Sequence, residues 1–220
     1  MKPVALITGG SGELAQAIRT ELEAQGWIVH APSHHEMDVT DKAQVQRVFS
    51  TLERLDLLIH NAGITRDALL IKMTEADFSD VLNVHLKGAF LCSQAALKIM
   101  VKQRQGHLIH LGSYSALSGP SGQANYAAAK AGLIALTQSL AAEYGARGIR
   151  ANCLLPGFLD TKMTRHLLDD ETHRQRVFAA HTLGQLSTAQ DSARFIAFLH
   201  TMPHVSGQVF QLDSRISRWV

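Results

Sequence analysis

A chain of 220 residues, 46% apolar and 18% charged, carries enough apolar material for one well-filled core, and a formal net charge of +2 is too small to argue for a nucleic-acid surface. No Lys/Arg run forms a basic arm, and no stretch of about 18 apolar residues is available to cross a membrane. Cys92 and Cys153 lie in apolar segments without metal-ligand spacing and are expected to be reduced core residues of a cytoplasmic protein. The 12 histidines, among them His34-His35 and His107/His110, fall in no ligand pattern such as His-Glu-x-x-His, so no metal site is expected. Met1 to Ile7 runs straight into a glycine turn, which leaves no room for a signal peptide.

Val4 to Thr8 is a short β-prone run ending at Gly9-Gly-Ser-Gly12, and Leu14, Ile18 and Leu22 follow at helical spacing up to Gly26. A strand that turns on glycines into a helix offers free N–H groups and a partial positive charge to a pyrophosphate. Trp27 to His30 reads as the second strand. Residues 31–36 are too few for the crossover of about a dozen residues that a parallel neighbour needs, so Met37-Asp-Val39 is either a loop or a stub of strand at the sheet edge. Thr40-Asp41 starts a helix reaching Glu53, with Val45, Val48, Phe49 and Leu52 on one face. Leu55 to His60 is a buried strand leading into Asn61-Ala-Gly63. Thr74-Glu-Ala-Asp77 caps a long helix through Val81, Leu82, Leu86, Phe90 and Ala95 to about Gln103. Gly106 to Gly112 is the strand that delivers Ser113, and Ala124 to Tyr144 is a helix lined by Ala127, Ala128, Ala131 and Gly132. These small residues either admit a second helix at close range or pack on their own sheet. Gly148 to Pro156 is the next strand, 160–183 is polar and helical in pattern, Ala189 to His200 is an amphipathic helix, and Val205 to Leu212 is the last strand. Strands alternating with helices predict a single α/β domain over residues 1–220, a doubly wound parallel sheet with six full strands and a shortened edge.

The chemistry concentrates in one stretch. Tyr126 and Lys130 are four apart and share a helix face, so an ammonium can sit beside a phenol. A cation there is expected to lower the phenol from its ordinary value of about 10 and prepare it for proton transfer. Ser113, 13 positions before Tyr126, supplies a hydroxyl to orient a substrate oxygen.

With the opening glycine turn, these residues resemble the short-chain dehydrogenase/reductase family, and within it the 3-oxoacyl-[acyl-carrier-protein] and acetoacetyl-CoA reductases. The likeness extends over nearly the whole chain and includes Asn61-Ala-Gly-Ile-Thr-Arg-Asp67, Gly122-Gln-Ala-Asn-Tyr-Ala-Ala-Ala-Lys-Ala-Gly132 and Pro156-Gly-Phe-Leu-Asp-Thr-Lys-Met-Thr164. The resemblance implies a Rossmann fold and reduction of a 3-oxoacyl thioester by NADPH to the (3R)-hydroxyacyl product, in fatty-acid or polyketide-type synthesis. It assigns catalysis to Ser113, Tyr126 and Lys130, with His85 where the family carries an asparagine. It assigns the cofactor to Thr8, Gly9, Ser11, Gly12, Leu14, Ser33, Asp38, Val39, Asn61, Ala62, Gly63, Tyr126, Lys130, Pro156, Gly157 and Thr161. Asn61-Ala-Gly63 would lie beside the adenine ribose, where a glycine permits close approach of the backbone. NADP(H) is favoured over NAD(H), because no carboxylate occupies the end of the second strand and Ser33, His34 and His35 can surround a phosphate.

The resemblance further implies an acyl carrier protein or CoA thioester as substrate, docking by Arg104 and Arg147 near the active-site rim, a homodimer or homotetramer, and a mobile lid over 160–183. Departures from the family pattern are Glu13 and Ala15 at two glycine positions, His85, the short 31–36 connection, and Asp213-Ser-Arg215 in place of a glycine-rich ending. The Glu13 side chain is expected to turn to solvent, since a carboxylate aimed at a pyrophosphate would repel it. Two other readings stand beside this one: a dinucleotide-binding regulatory or partner protein that has lost catalysis, and a reductase of another carbonyl substrate.

Overall fold

The structure, a computed structural model, describes residues 1–162 and 164–216. Among the described residues six strands, β1 (Val4–Ile7), β2 (Ile28–His30), β3 (Leu57–His60), β4 (Gly106–Leu111), β5 (Ile149–Leu155) and β6 (Val209–Gln211), form one sheet in the order β2-β1-β3-β4-β5-β6. Every pairing is parallel. The helices are α1 (Glu13–Ala24), α2 (Lys42–Ser50), α3 (Glu75–Leu82), α4 (Gly88–Gln103), α5 (Ser115–Ser118), α6 (Ala124–Tyr144), α7 (Arg165–Leu168), α8 (Glu171–Ala179) and α9 (Ala189–His200).

Strand alternation sorts the core into two layers. Leu6, Leu58, Leu108 and Ala151 pack with Val45 and Phe49 of α2 and with Cys92, Ala96 and Met100 of α4. Ala5, Ile7, Leu57, Ile59, Ile109 and Leu154 pack on the opposite face with Ile18 and Leu22 of α1 and Ala193 and Ile196 of α9. Local signals hold the helix ends: Asp41 accepts from Ala43 N and Gln44 N, and Thr74/Asp77 and Thr188/Asp191 each form a reciprocal capping box.

Two expectations are refined. Of the alternatives for residues 37–39, the chain takes the loop, so β2 is the sheet edge on that side. Met37 and Val39 still fill the core, at 1% and 3% exposure, because a shortened connection brings them beneath the sheet instead of alongside it. The helix expected from 75 to about 103 is interrupted by a π-helical turn, Asn83–Lys87, between α3 and α4. The strand order reverses between β1 and β3, which opens a crevice at the carboxyl ends of these strands, the general location of ligands in such sheets.

Candidate active site

β4 ends at Leu111 and hands the chain to Ser113, while α6 brings Tyr126 and Lys130 to the same edge. Lys130 is buried and its Nζ donates to the Leu111 carbonyl at 2.6 Å, 5.4 Å from the centre of the Tyr126 ring. Tyr126 takes a side-chain hydrogen bond from Ser113, whose Oγ also accepts from Ser115 N at 3.1 Å. The protein's own groups push the phenol up to about 12: burial raises it most, the Ser113 bond lowers it, and the Asp67 carboxylate raises it again. The lowering expected from Lys130 is not found: the ammonium is anchored on the Leu111 carbonyl and not on the phenol oxygen. Burial draws Lys130 itself down to about 8, with Cys153 acting the other way. Tyr126 is a protonated phenol at neutral pH, the form that a proton donor requires.

His85 stands in the π-helical turn, 2% exposed, its ring edge-on to Tyr126 with centroids 5.1 Å apart. Its Nε2 lies 2.8 Å from the Ile64 carbonyl and 3.1 Å from the Ile64 N–H, and Nδ1 is buried without a hydrogen-bond partner. Burial and the nearby Lys130 cation bring its pKa down to about 3, so the ring is neutral. Gly63 makes this seat possible, since a Cβ there would fall 2.4 Å from His85 Cε1. Within the protein, the close approach that Gly63 permits is to an imidazole.

Beneath it, the His60 Nε2 donates to the His85 carbonyl at 3.1 Å, and the Thr8 hydroxyl lies 3.3 Å from His60 Nδ1. Thr8 Oγ1 accepts from Asn61 N and Ala62 N, and the Asn61 amide donates to the Thr8 and Gly9 carbonyls. These bonds lock the first glycine turn against the Asn61-Ala-Gly63 loop. His60 carries no sequence signal of its own, and Asn125, whose amide holds the Arg66 and Asp77 carbonyls, is marked only by its place before Tyr126.

The crevice has the features that a pyrophosphate needs. Gly12, the N-cap of α1, provides no side-chain cap, which leaves the first-turn N–H groups open toward a ligand. Gly10 lets Ala31 pass, as a Cβ there would lie 1.9 Å from the Ala31 carbonyl oxygen. Ser11 and Gly12 are exposed and Leu14 half-buried at this mouth. Farther out, Asp38 Oδ1 accepts from Thr40 N and Oγ1, beside buried Val39. On the other side, Pro156-Gly157 follows β5 with Asp213 packed under Gly157, and Thr161 is tied to Thr164.

Two acids depart from expectation. Glu36 folds back so that its carboxylate accepts from Ser33 N and Ser33 Oγ, each at 2.7 Å. A carboxylate therefore lies against Ser33, three residues beyond β2, brought there by a turn that residue spacing does not reveal. The Glu13 side chain is 36% exposed but engaged: its Oε2 accepts from Lys162 N at 3.1 Å, and Arg165 lies 3.8 Å from Oε1.

The chain is similar to proteins of known activity. The profile of the family described as enoyl-(acyl carrier protein) reductase matches residues 6–214. The 3-oxoacyl-[acyl-carrier-protein] reductase FabG of Escherichia coli (strain K12) is 38% identical over 234 residues, covering 96% of this chain and 95% of that protein. FabG of Staphylococcus aureus (strain Mu50 / ATCC 700699) is 38% identical over 213 residues, covering 96% and 86%. The solved structure of ElxO with NADP bound superposes with a TM-score of 0.90 at 28% identity, covering 97% of this chain and 98% of that one. The chain belongs to the short-chain dehydrogenase/reductase family. It is accordingly an NAD(P)-dependent oxidoreductase by family, and no helix among its described residues is long and apolar enough to cross a membrane.

In this short-chain reductase the expectation for Arg104 and Arg147 is corrected. Both are exposed and adjacent, with Gly148 against the Arg104 carbonyl, but they precede β4 and β5 whereas Ser113 follows β4. Along the strand direction they are roughly 20 Å from Ser113, at the amino-terminal ends of the strands and not at the rim of their own chain's site.

Proposed function

We propose that this short-chain reductase reduces a 3-oxoacyl thioester to its 3-hydroxyacyl product, acting as one dinucleotide-binding domain over residues 1–220. The observation that carries the reading is the meeting of the Ser113 and Tyr126 hydroxyls, bonded to each other beside Lys130, a pair that suits binding and protonation of a ketone oxygen. When bound in the crevice at Thr8, Gly9, Ser11, Gly12, Leu14, Asn61 and Ala62, with Pro156, Gly157 and Thr161 on its far side, the nicotinamide dinucleotide supplies the hydride. Ser113 orients the ketone oxygen, and Tyr126 passes its proton to the oxygen as negative charge develops there. The Lys130 ammonium, fixed by the Leu111 carbonyl 5.4 Å from the ring centre, is the cation nearest the phenolate left behind and favours it as the charge forms. His85, neutral and with an unpartnered buried Nδ1 edge-on to Tyr126, offers an acceptor for a relay water that returns the proton.

The finer reading favours NADPH, supported by the His34-His35 pair and by the NADP bound to the similar ElxO. Glu36 must then release Ser33 before that hydroxyl can meet a 2′-phosphate. The substrate is carried by acyl carrier protein or CoA, in the cytoplasm, by a homodimer or homotetramer. Arg104 and Arg147 form the exposed basic pair for an acidic carrier, which from that edge serves the site of a neighbouring copy.

The family description favours a second reading, reduction of an enoyl thioester. Loss of NADPH absorbance with acetoacetyl-CoA and with crotonyl-CoA separates the two: turnover of the first alone is expected, turnover of the second alone would replace the proposal, and NADPH binding without either would leave a dinucleotide-binding protein.

A further inference from the structure

Glu13 is the first residue of α1, directly after Gly12, where the helix N-terminus faces the crevice. If the crevice takes a dinucleotide as proposed above, an unengaged carboxylate here would oppose the pyrophosphate. Both oxygens are instead engaged by residues distant in sequence: Oε2 with the Lys162 N–H at 3.1 Å, 149 positions on, and Oε1 facing Arg165 at 3.8 Å. Arg165 is in turn held by Asp160 through Nε at 3.1 Å, and Thr161 lies between these two points of attachment. The chain beyond is held chiefly toward its far end, where His181 is buried with its Nε2 3.9 Å from the Asp213 carboxylate. α8 contributes no buried residue, and Leu183 is 76% exposed. The far end of this stretch is fastened by Ser214, whose carbonyl accepts from Thr182 N and Oγ1 and whose Oγ accepts from Leu183 N. A segment with so few apolar contacts opens readily, and its position is set by its end attachments.

We propose that Glu13 is a positioning residue: it straps the chain around Lys162 and Arg165 across the N-terminal end of α1 and thereby retains the dinucleotide. The inference rests on the dinucleotide reading of the crevice, and its sign distinguishes it from simple repulsion. If Glu13 acted only by its charge on the pyrophosphate, removing it would tighten binding; if it straps the segment, removal loosens it. The pair with Arg165 is exposed and contributes little, so the carboxylate–Lys162 bond carries most of the effect.

The test uses Glu13→Ala and Glu13→Gln in the whole enzyme, with NADPH dissociation followed by fluorescence and, without cofactor, trypsin cleavage at Arg165 and Arg174. Glu13→Ala is expected to release NADPH roughly five- to tenfold faster and to be cut faster at Arg165, and Glu13→Gln, which keeps an acceptor for Lys162 N, to fall between it and wild type. Slower release, or release and cleavage both at the wild-type rate, overturns the proposal. Wild-type protein that fails to bind NADPH refutes the dinucleotide reading instead, while the cleavage comparison still decides the strap.

Discussion

Acidification should unfold this protein over a narrow window, because four imidazoles are buried neutral beside cations. His60, His85, His107 and His110 are all 2% exposed or less. Burial holds His60 and His107 well below the ordinary histidine value, and takes His85 down to about 3 and His110 to about 4. Lys130 pushes His60, His85 and His110 the same way, and Arg150 does so for His107. Each ring takes up a proton in the unfolded chain below about 6.5 but not in the folded one, so its contribution is complete above that pH and is lost as pH falls. At about pH 5.5, one unit below the unfolded value, the loss is about 1.4 kcal/mol per ring, whatever the depth of the folded pKa. Four rings sum to roughly 5–6 kcal/mol, as an upper figure, against a total stability of roughly 5–15 kcal/mol for a domain. Asp41, Asp77 and Asp191, whose carboxyls are held below their ordinary values by hydrogen bonds, act only at lower pH. Urea midpoints by circular dichroism at about pH 7.5, 6.5 and 5.5 read this directly, with the steep fall expected in the last interval. Equal midpoints at about pH 7.5 and 5.5 would refute the claim that these rings stay neutral in the folded chain.

Tyr126→Phe should lower turnover by about 100-fold or more while NADPH binds nearly as before, since only the phenolic proton is removed; a variant keeping a tenth of the rate takes Tyr126 out of the donor role. Gly63→Ala should cost about 1–3 kcal/mol and displace His85, and Gly63→Ala/His85→Ala should regain stability but not activity; an unaffected single variant would show that the ring has room to move. Glu36→Ala should raise the NADPH-to-NADH ratio of kcat/KM about fivefold, by removing one charge near the 2′-phosphate; an unchanged ratio means that the 33–36 turn faces elsewhere. Arg104→Glu/Arg147→Glu should lower kcat/KM for a carrier-bound substrate and leave a small thioester unchanged, whereas equal losses on both would point to the fold.

Much of this protein is decided within a few residues of chain. The four-residue spacing of Tyr126 and Lys130 puts them one helix turn apart whatever surrounds them, and the apolar run before Ser113 ends where the sheet ends. Asp41, Thr74 and Thr188 cap helices through N–H groups two or three positions away, so their roles too are local. Other features arise only when distant segments meet. The Tyr126 phenol is raised, not lowered, because burial is a property of the assembled crevice and the Lys130 ammonium finds the Leu111 carbonyl from another strand. Glycine at position 63 has its reason in a π-helical turn 22 residues on, and Glu13 finds its partner 149 positions away. Periodicity reports which face of an element is apolar, and nothing in it specifies which groups from separate elements share one buried volume, where desolvation sets each charge.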